Sequence, residues 1–222
     1  MKKTEENVRI KNGITELVFI LDRSGSMSGL EKDTVGGFNS MLKKQRNEKG
    51  SAFVTTVLFD DKIEFLHDRI EIKNVKPITE KEYFVRGCTA LIDAIGVSIK
   101  HISKIHKYAR REDVPEHTLF VITTDGMENA SRIYSSAEVK ELIEKMKEKY
   151  GWEFIFIGAN IDAVETAKGF GINEECAVNY HCDEVGTRLM YDSIEAAVTN
   201  VRSCAPLSNE WRKNLDNDFN NR

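Results

Sequence analysis

No apolar run in this chain approaches the roughly 20 residues that a helix needs to cross a bilayer, so no membrane span is expected. The N-terminus, Met1-Lys2-Lys3-Thr4-Glu5-Glu6-Asn7, is charged and leads into no apolar core of the secretory type. A cytoplasmic location is therefore expected. The four cysteines, Cys88, Cys176, Cys182 and Cys204, contain no CxxC pair, and free thiols are expected of them. Cys176 and Cys182, with His181 beside the latter, match no standard zinc spacing. His101 and His106 are five apart and diverge around a helix rather than share a face. The net charge is −4 with both signs interleaved, so the basic stripe that suits nucleic acid is missing. A Walker A loop, H-E-x-x-H and G-x-S-x-G are absent. No internal repeat, linker or second domain is visible. Even without staples, 222 residues suffice for one α/β unit, which buries roughly 70% of its unfolded surface.

What the chain does have is the stretch Leu17-Val18-Phe19-Ile20-Leu21-Asp22-Arg23-Ser24-Gly25-Ser26-Met27. Its apolar run lacks alternation and reads as a strand buried on both faces. Asp22 then stands where the strand leaves the sheet, and hydroxyls follow at every second position. Asp22, Ser24 and Ser26 offer only oxygen, which selects a hard cation such as Mg²⁺ or Mn²⁺. Taken alone, this stretch is better explained by an ordinary Asp/Ser/Gly turn. Two further segments decide between the readings. Thr118-Leu119-Phe120-Val121-Ile122-Thr123-Thr124-Asp125-Gly126 repeats the design of an apolar strand ending in an acid. Between them, Arg86-Gly87-Cys88-Thr89 presents a hydroxyl just before a helical pattern. The carboxyl ends of neighbouring parallel strands form the usual ligand crevice. Three loops thus offer Asp22, Ser24, Ser26, Thr89 and Asp125 to one place.

This pattern, Asp22-x-Ser24-x-Ser26, then Thr89, then Asp125-Gly126, resembles the von Willebrand factor type A domain and its metal-ion-dependent adhesion site, or MIDAS. The resemblance covers about residues 14–202. It implies a doubly wound, Rossmann-like open sheet, mostly parallel with one antiparallel edge strand, and helices on both faces. It also implies Mg²⁺ bound directly by the two serines and the threonine, with the aspartates often acting through water. A carboxylate from a partner protein would complete the ion. Stand-alone bacterial domains of this type often accompany AAA ATPases or stress-resistance components. Neither nucleic acid nor membrane is an expected partner. One departure is Gly87-Cys88-Thr89, where the family often has two glycines; Cys88 is small enough to keep the loop's path.

The remaining sequence fits this plan. Residues 30–46 read as a helix with Phe38, Met41, Leu42 and Gln45 on one face. Gly36-Gly37 inside it reads either as close packing under the metal loop or as chance. Residues 52–59 and 63–67 form an antiparallel pair, the second an edge strand. Leu91, Ile92, Ile95, Ile99 and Ile102 recur at helical spacing as a core stripe. Asp93, one turn past Thr89, reads either as a helix N-terminal charge or as an acceptor behind the site. Ser135-x-x-Glu138 is a capping box. The helix it opens turns Val139, Leu142, Ile143, Met146 and Tyr150 inward and closes at Gly151. Residues 152–157 form a buried strand, 163–169 a short helix, 177–180 a short strand and 185–201 the last helix. By this reading 1–13 is a lead-in, 14–203 the domain and 204–222 a C-terminal tail, loose from Asn209 on unless Trp211 and Phe219 dock it.

The rival reading is a Mg²⁺-dependent phosphatase of the haloacid dehalogenase type using Asp22. Such enzymes need a second Asp two residues on, where this chain has Ser24, and a positioned acid is missing. The expected function is accordingly non-catalytic: protein binding through a divalent cation.

Overall fold

The computed structural model describes residues 13–222, so the lead-in, except for Gly13, lies outside the described residues. Six strands form one sheet: β1 (Ile14–Asp22), β2 (Ser51–Phe59), β3 (Ile63–Glu71), β4 (His117–Thr124), β5 (Glu153–Gly158) and β6 (Ala177–Asn179). Their order is β3-β2-β1-β4-β5-β6, with every neighbour parallel except β2–β3. The central strands β1, β4 and β5 are apolar on both sides because both sides are covered, whereas the edge strand β3 is largely polar. Leu17, Phe19 and Leu21 of β1 enter one core, together with Leu119 and Val121 of β4. Val18 and Ile20 enter the other, with Phe120 and Ile122.

Helix α1 (Glu31–Gln45) and α5 (Glu184–Arg202) cover the first face, joined by α6 (Lys213–Asn221). Helices α2 (Leu91–Tyr108), α3 (Ser136–Tyr150) and α4 (Ala163–Gly169) cover the second. The expected faces of α1 and α2 are buried, with Ile92 partly so. The capping box is present, and Gly151 caps α3 in the left-handed conformation, φ 64°. No helix among the described residues is long and apolar enough to cross a membrane.

Three expectations need correction. The glycine pair in α1 does not pack under the metal loop. A Cβ on Gly37 would stand 2.2 Å from the ring of Tyr191 in α5, whereas Gly36 faces open space. Tyr150 is largely exposed rather than turned inward. The tail after α5 is not loose: a 3₁₀ turn, Asn209–Arg212, leads into α6. Trp211 and Leu215 are buried, and the Trp211 indole N–H donates to the Glu175 carbonyl at 3.2 Å.

The chain leaves β1 toward β2 on one side and returns to pair β4 on the other. The sheet therefore reverses its winding between β1 and β4, and a crevice opens beyond the ends of those two strands. Asp22 and Thr124 are the last residues of the strands that flank it.

Candidate metal centre

Each of the three loops is placed by backbone geometry. A 3₁₀ turn over Gly25–Met27 follows β1 and curls the first loop back over the strand end. Gly25 N–H donates to the Gly87 carbonyl at 3.2 Å, and Arg86 N–H to the Arg23 carbonyl at 2.9 Å. These bonds stitch the first loop to the second. Gly87 takes φ +70°, and a Cβ there would meet Asp61 Oδ1 at 2.7 Å, so this position does require glycine. Cys88 beside it is exposed. Thr89 is tied to the third loop: its N–H donates to Asn129 Oδ1 at 2.9 Å, and its carbonyl accepts from the N–H groups of Asn129 and Ala130.

The five residues singled out in the sequence meet. Thr89 Oγ1 donates to Ser24 Oγ at 3.0 Å, Ser24 Oγ lies 3.1 Å from Ser26 Oγ, and Ser26 Oγ donates to Asp125 Oδ1 at 2.5 Å. Asp22 joins through Oδ1, which accepts the Ser24 N–H at 2.7 Å; its Oδ2 accepts from Thr124 Oγ1 at 2.6 Å. All but Ser26 are buried. Burial pushes the Asp22 carboxyl up to about 6, against the hydrogen bonds from Thr124 and Ser24 that favour its ionised form. Burial raises Asp125 in the same direction.

The hydrogen-bond partners of the two carboxylates are hydroxyls, one backbone N–H and one thiol; no Lys, Arg or His is among them. Two desolvated acids thus share a cluster of neutral oxygens without a hydrogen-bonded protein cation among the described residues. Gly126 leaves the space open above them: a Cβ there would stand 3.0 Å from Ser26 Oγ and 3.3 Å from Thr89 Oγ1. A hard divalent cation fits this all-oxygen set and its charge.

Several residues stand behind the cluster, and of these the sequence reading had weighed only Asp93 for a role at the site. Asp93 does act as an acceptor, but for the third loop: its carboxylate takes the N–H groups of Arg132, Ile133 and Tyr134. Glu128 accepts from the N–H groups of Ile92, Ala130 and Ser131 and from the Ser131 hydroxyl. Arg23 is fully buried and pairs with Asp60, which also binds Arg86. The Tyr83 hydroxyl donates to the Asp22 carbonyl. The Cys182 thiol lies 3.4 Å from Asp125 Oδ2, and burial and that carboxylate push it up to about 12. The only local signal for any of these was charge next to a motif. Their role depends on contacts between loops far apart in sequence.

Solved structures share this architecture. Proximal thread matrix protein 1 from the mussel byssus, with a zinc-occupied MIDAS motif, is 16% identical with a TM-score of 0.57; the match covers 84% of this chain and 46% of that one. Manganese-loaded TRAP protein from Plasmodium vivax is 19% identical with a TM-score of 0.56, covering 80% of this chain and 72% of that one. A mutant of the PilB minor pilin from Streptococcus sanguinis is 11% identical with a TM-score of 0.57, covering 86% and 63%. The chain thus spans less than two thirds of the mussel and pilin proteins. No protein-family model matches the chain, and no curated protein matches it by sequence. The fold is that of the von Willebrand factor type A domain.

Proposed function

We propose that this chain is a divalent-cation-dependent protein-binding domain. Ser24, Ser26 and Thr89 would hold Mg²⁺ or Mn²⁺ directly, with Asp22 and Asp125 supplying the negative charge around it. The observation that carries this reading is the meeting of three hydroxyls, Ser24, Ser26 and Thr89, with two buried carboxylates, Asp22 and Asp125, which hydrogen-bond to no Lys, Arg or His among the described residues. The metal-bearing structures of the mussel and Plasmodium proteins support it by analogy of fold.

The hydroxyl ligands are neutral, so the ion keeps much of its charge. An Asp or Glu of a partner protein gains a charge-assisted contact there, in a site already partly desolvated. Exposed apolar side chains border the crevice loops: Met127 is 73% exposed and Ile133 64%. The carboxylates of Asp93 and Glu128 hold the backbone of residues 130–134, while the flexible Met127 side chain suits an adaptable contact surface. The reading is non-enzymatic, because Ser24 occupies the position where a phosphatase would need its second Asp.

Calorimetric titration with Mn²⁺ tests the site. Asp22→Ala is expected to abolish most of the affinity while the circular dichroism spectrum stays that of the folded chain. Equal affinities in wild type and variant would exclude the site. Partner binding is tested by capture in Mg²⁺ and release by EDTA.

A further inference from the structure

The opposite pole of the sheet, where the parallel strands begin, carries a donor set of different character. His117 opens β4, Glu116 precedes it, and Cys204 lies two residues beyond α5. A ring nitrogen of His117, a carboxylate oxygen of Glu116 and Cys204 Sγ lie within 4.8 Å of one another. Among the described residues this is the one such group of three His, Cys, Asp or Glu side chains. Cys176, Cys182 and His181 form no comparable group.

A second observation points to a ligand. His117 Nε2 is shielded from solvent yet has no hydrogen-bond partner. Glu116 Oε1 is 3.8 Å away, beyond hydrogen-bond reach but close to the spacing of two ligands on one ion. Glu116 is itself held: its Oε2 accepts the Gly13 N–H at 3.1 Å, which leaves Oε1 on the imidazole side. Cys204 is exposed, and its N–H is fixed to the Val201 carbonyl at 3.0 Å with φ +57°. The backbone of Cys204 therefore stands at a set place, while its exposed thiol is free to turn toward an arriving ion.

We propose that Glu116, His117 and Cys204 bind a divalent transition-metal ion, with Zn²⁺ the best match. A thiolate, an imidazole and a carboxylate form a set that Mg²⁺ rejects and Zn²⁺ accepts. Zn²⁺ holds such ligands at about 2.0–2.3 Å, so the group must contract by about 1 Å at its widest. Rotation of the exposed Cys204 side chain supplies that movement. Binding releases the Cys204 thiol proton to solvent and forms the metal–sulfur bond. With three protein ligands, a water completes the tetrahedron. The ion would tie the first residue of β4 to the chain just past α5, and so anchor the segment that leads to α6.

Co²⁺ serves as the spectroscopic probe and Zn²⁺ as the competitor. The host is wild type in excess Mg²⁺ and, separately, Asp22→Ala, so that the result does not depend on the hydroxyl site. Both hosts are expected to bind one equivalent of Co²⁺ with a thiolate-to-metal charge-transfer band, bleached by Zn²⁺. Cys204→Ser and Cys204→Ala should both remove the band, and neither should disturb the fold at this exposed position. His117→Gln should weaken Co²⁺ at least tenfold. Zn²⁺ should raise the melting temperature of both hosts but not of Cys204→Ser. No thiolate band in either host, or a band that survives Cys204→Ser, would overturn the proposal.

Discussion

Thr89 matters to the proposed site because it contributes oxygen without charge. Its hydroxyl donates to Ser24 Oγ at 3.0 Å, one step from the Ser26–Asp125 pair. Thr89→Ala should weaken both metal binding and partner capture without unfolding the sheet, since Thr89 lies in a loop rather than in either apolar core. Thr89→Asp separates the two steps. It should keep or tighten Mn²⁺ affinity yet impair capture, because the new carboxylate opposes the incoming one. Two like charges about 4 Å apart repel by roughly 1 to 4 kcal/mol over plausible effective dielectrics, which lowers affinity several-fold at least. Calorimetry with Mn²⁺, set beside capture of the EDTA-eluted partner, reads both effects. Undiminished capture by Thr89→Asp would remove the carboxylate bridge from the account.

At the scale of elements, the two neighbouring glycines of α1 make opposite predictions. Gly36 faces open space, so Gly36→Ala should stabilise the protein by about 1 kcal/mol through helix propensity. Gly37→Ala would drive a methyl into the Tyr191 ring and should cost about 1–3 kcal/mol despite the same propensity gain. Urea unfolding of both variants checks the sign of each. The C-terminal helix provides a second test. Trp211 is 3% exposed and packs in the core shared with α5 and β6. Trp211→Ala should therefore cost about 3–5 kcal/mol in the same assay. A loose tail would leave stability unchanged.

The charge balance of the whole molecule links the site to pH. Asp22 titrates at about 6 in the metal-free fold, above its ordinary value of 3.8, because burial disfavours its charge. A raised folded-state value means that the native protein holds this proton more tightly than the unfolded chain does. Ionising Asp22 therefore removes stability as pH rises from about 4 to about 6, and that loss persists at higher pH. Asp22→Asn removes this contribution and relieves Asp125 of a like charge, while the carboxylates outside the cluster titrate as before. In metal-free buffer, the stability of wild type relative to Asp22→Asn should thus fall as pH rises through that window. Mg²⁺ reverses the preference by favouring the ionised form, so its stabilising effect should be full at pH 7.5 and fade below about 6. Thermal melts of both proteins at pH 5 and 7.5, with and without Mg²⁺, measure this. A Mg²⁺ effect of the same size at both pH values would contradict it.

Local sequence alone determined the strands, most helices and the five residues of the candidate site. The reason is that each depends on short-range chemistry. Apolar runs such as residues 17–21 have few alternatives to a buried strand, Ser135 and Glu138 cap a helix wherever one follows, and Asp22-x-Ser24-x-Ser26 is a pattern within one loop. Family resemblance then supplied the plan of the sheet, mostly parallel with one antiparallel edge strand, while the strand order β3-β2-β1-β4-β5-β6 came from the structure. What only tertiary structure decided are the contacts between distant segments. The ring that Gly37 makes room for belongs to Tyr191, more than 150 residues away. Asp93 serves the backbone of residues 132–134 rather than its own helix or the metal. Trp211 sits in a tail whose polar composition suggested looseness, yet its buried indole and Leu215, with Arg212 donating to the Glu174 and Ala177 carbonyls and Phe219 stacked on His181, dock a short amphipathic helix. Glu116, His117 and Cys204 have no spacing that reads as a ligand set, because the return of α5 to the start of β4 is what brings the sulfur to the imidazole.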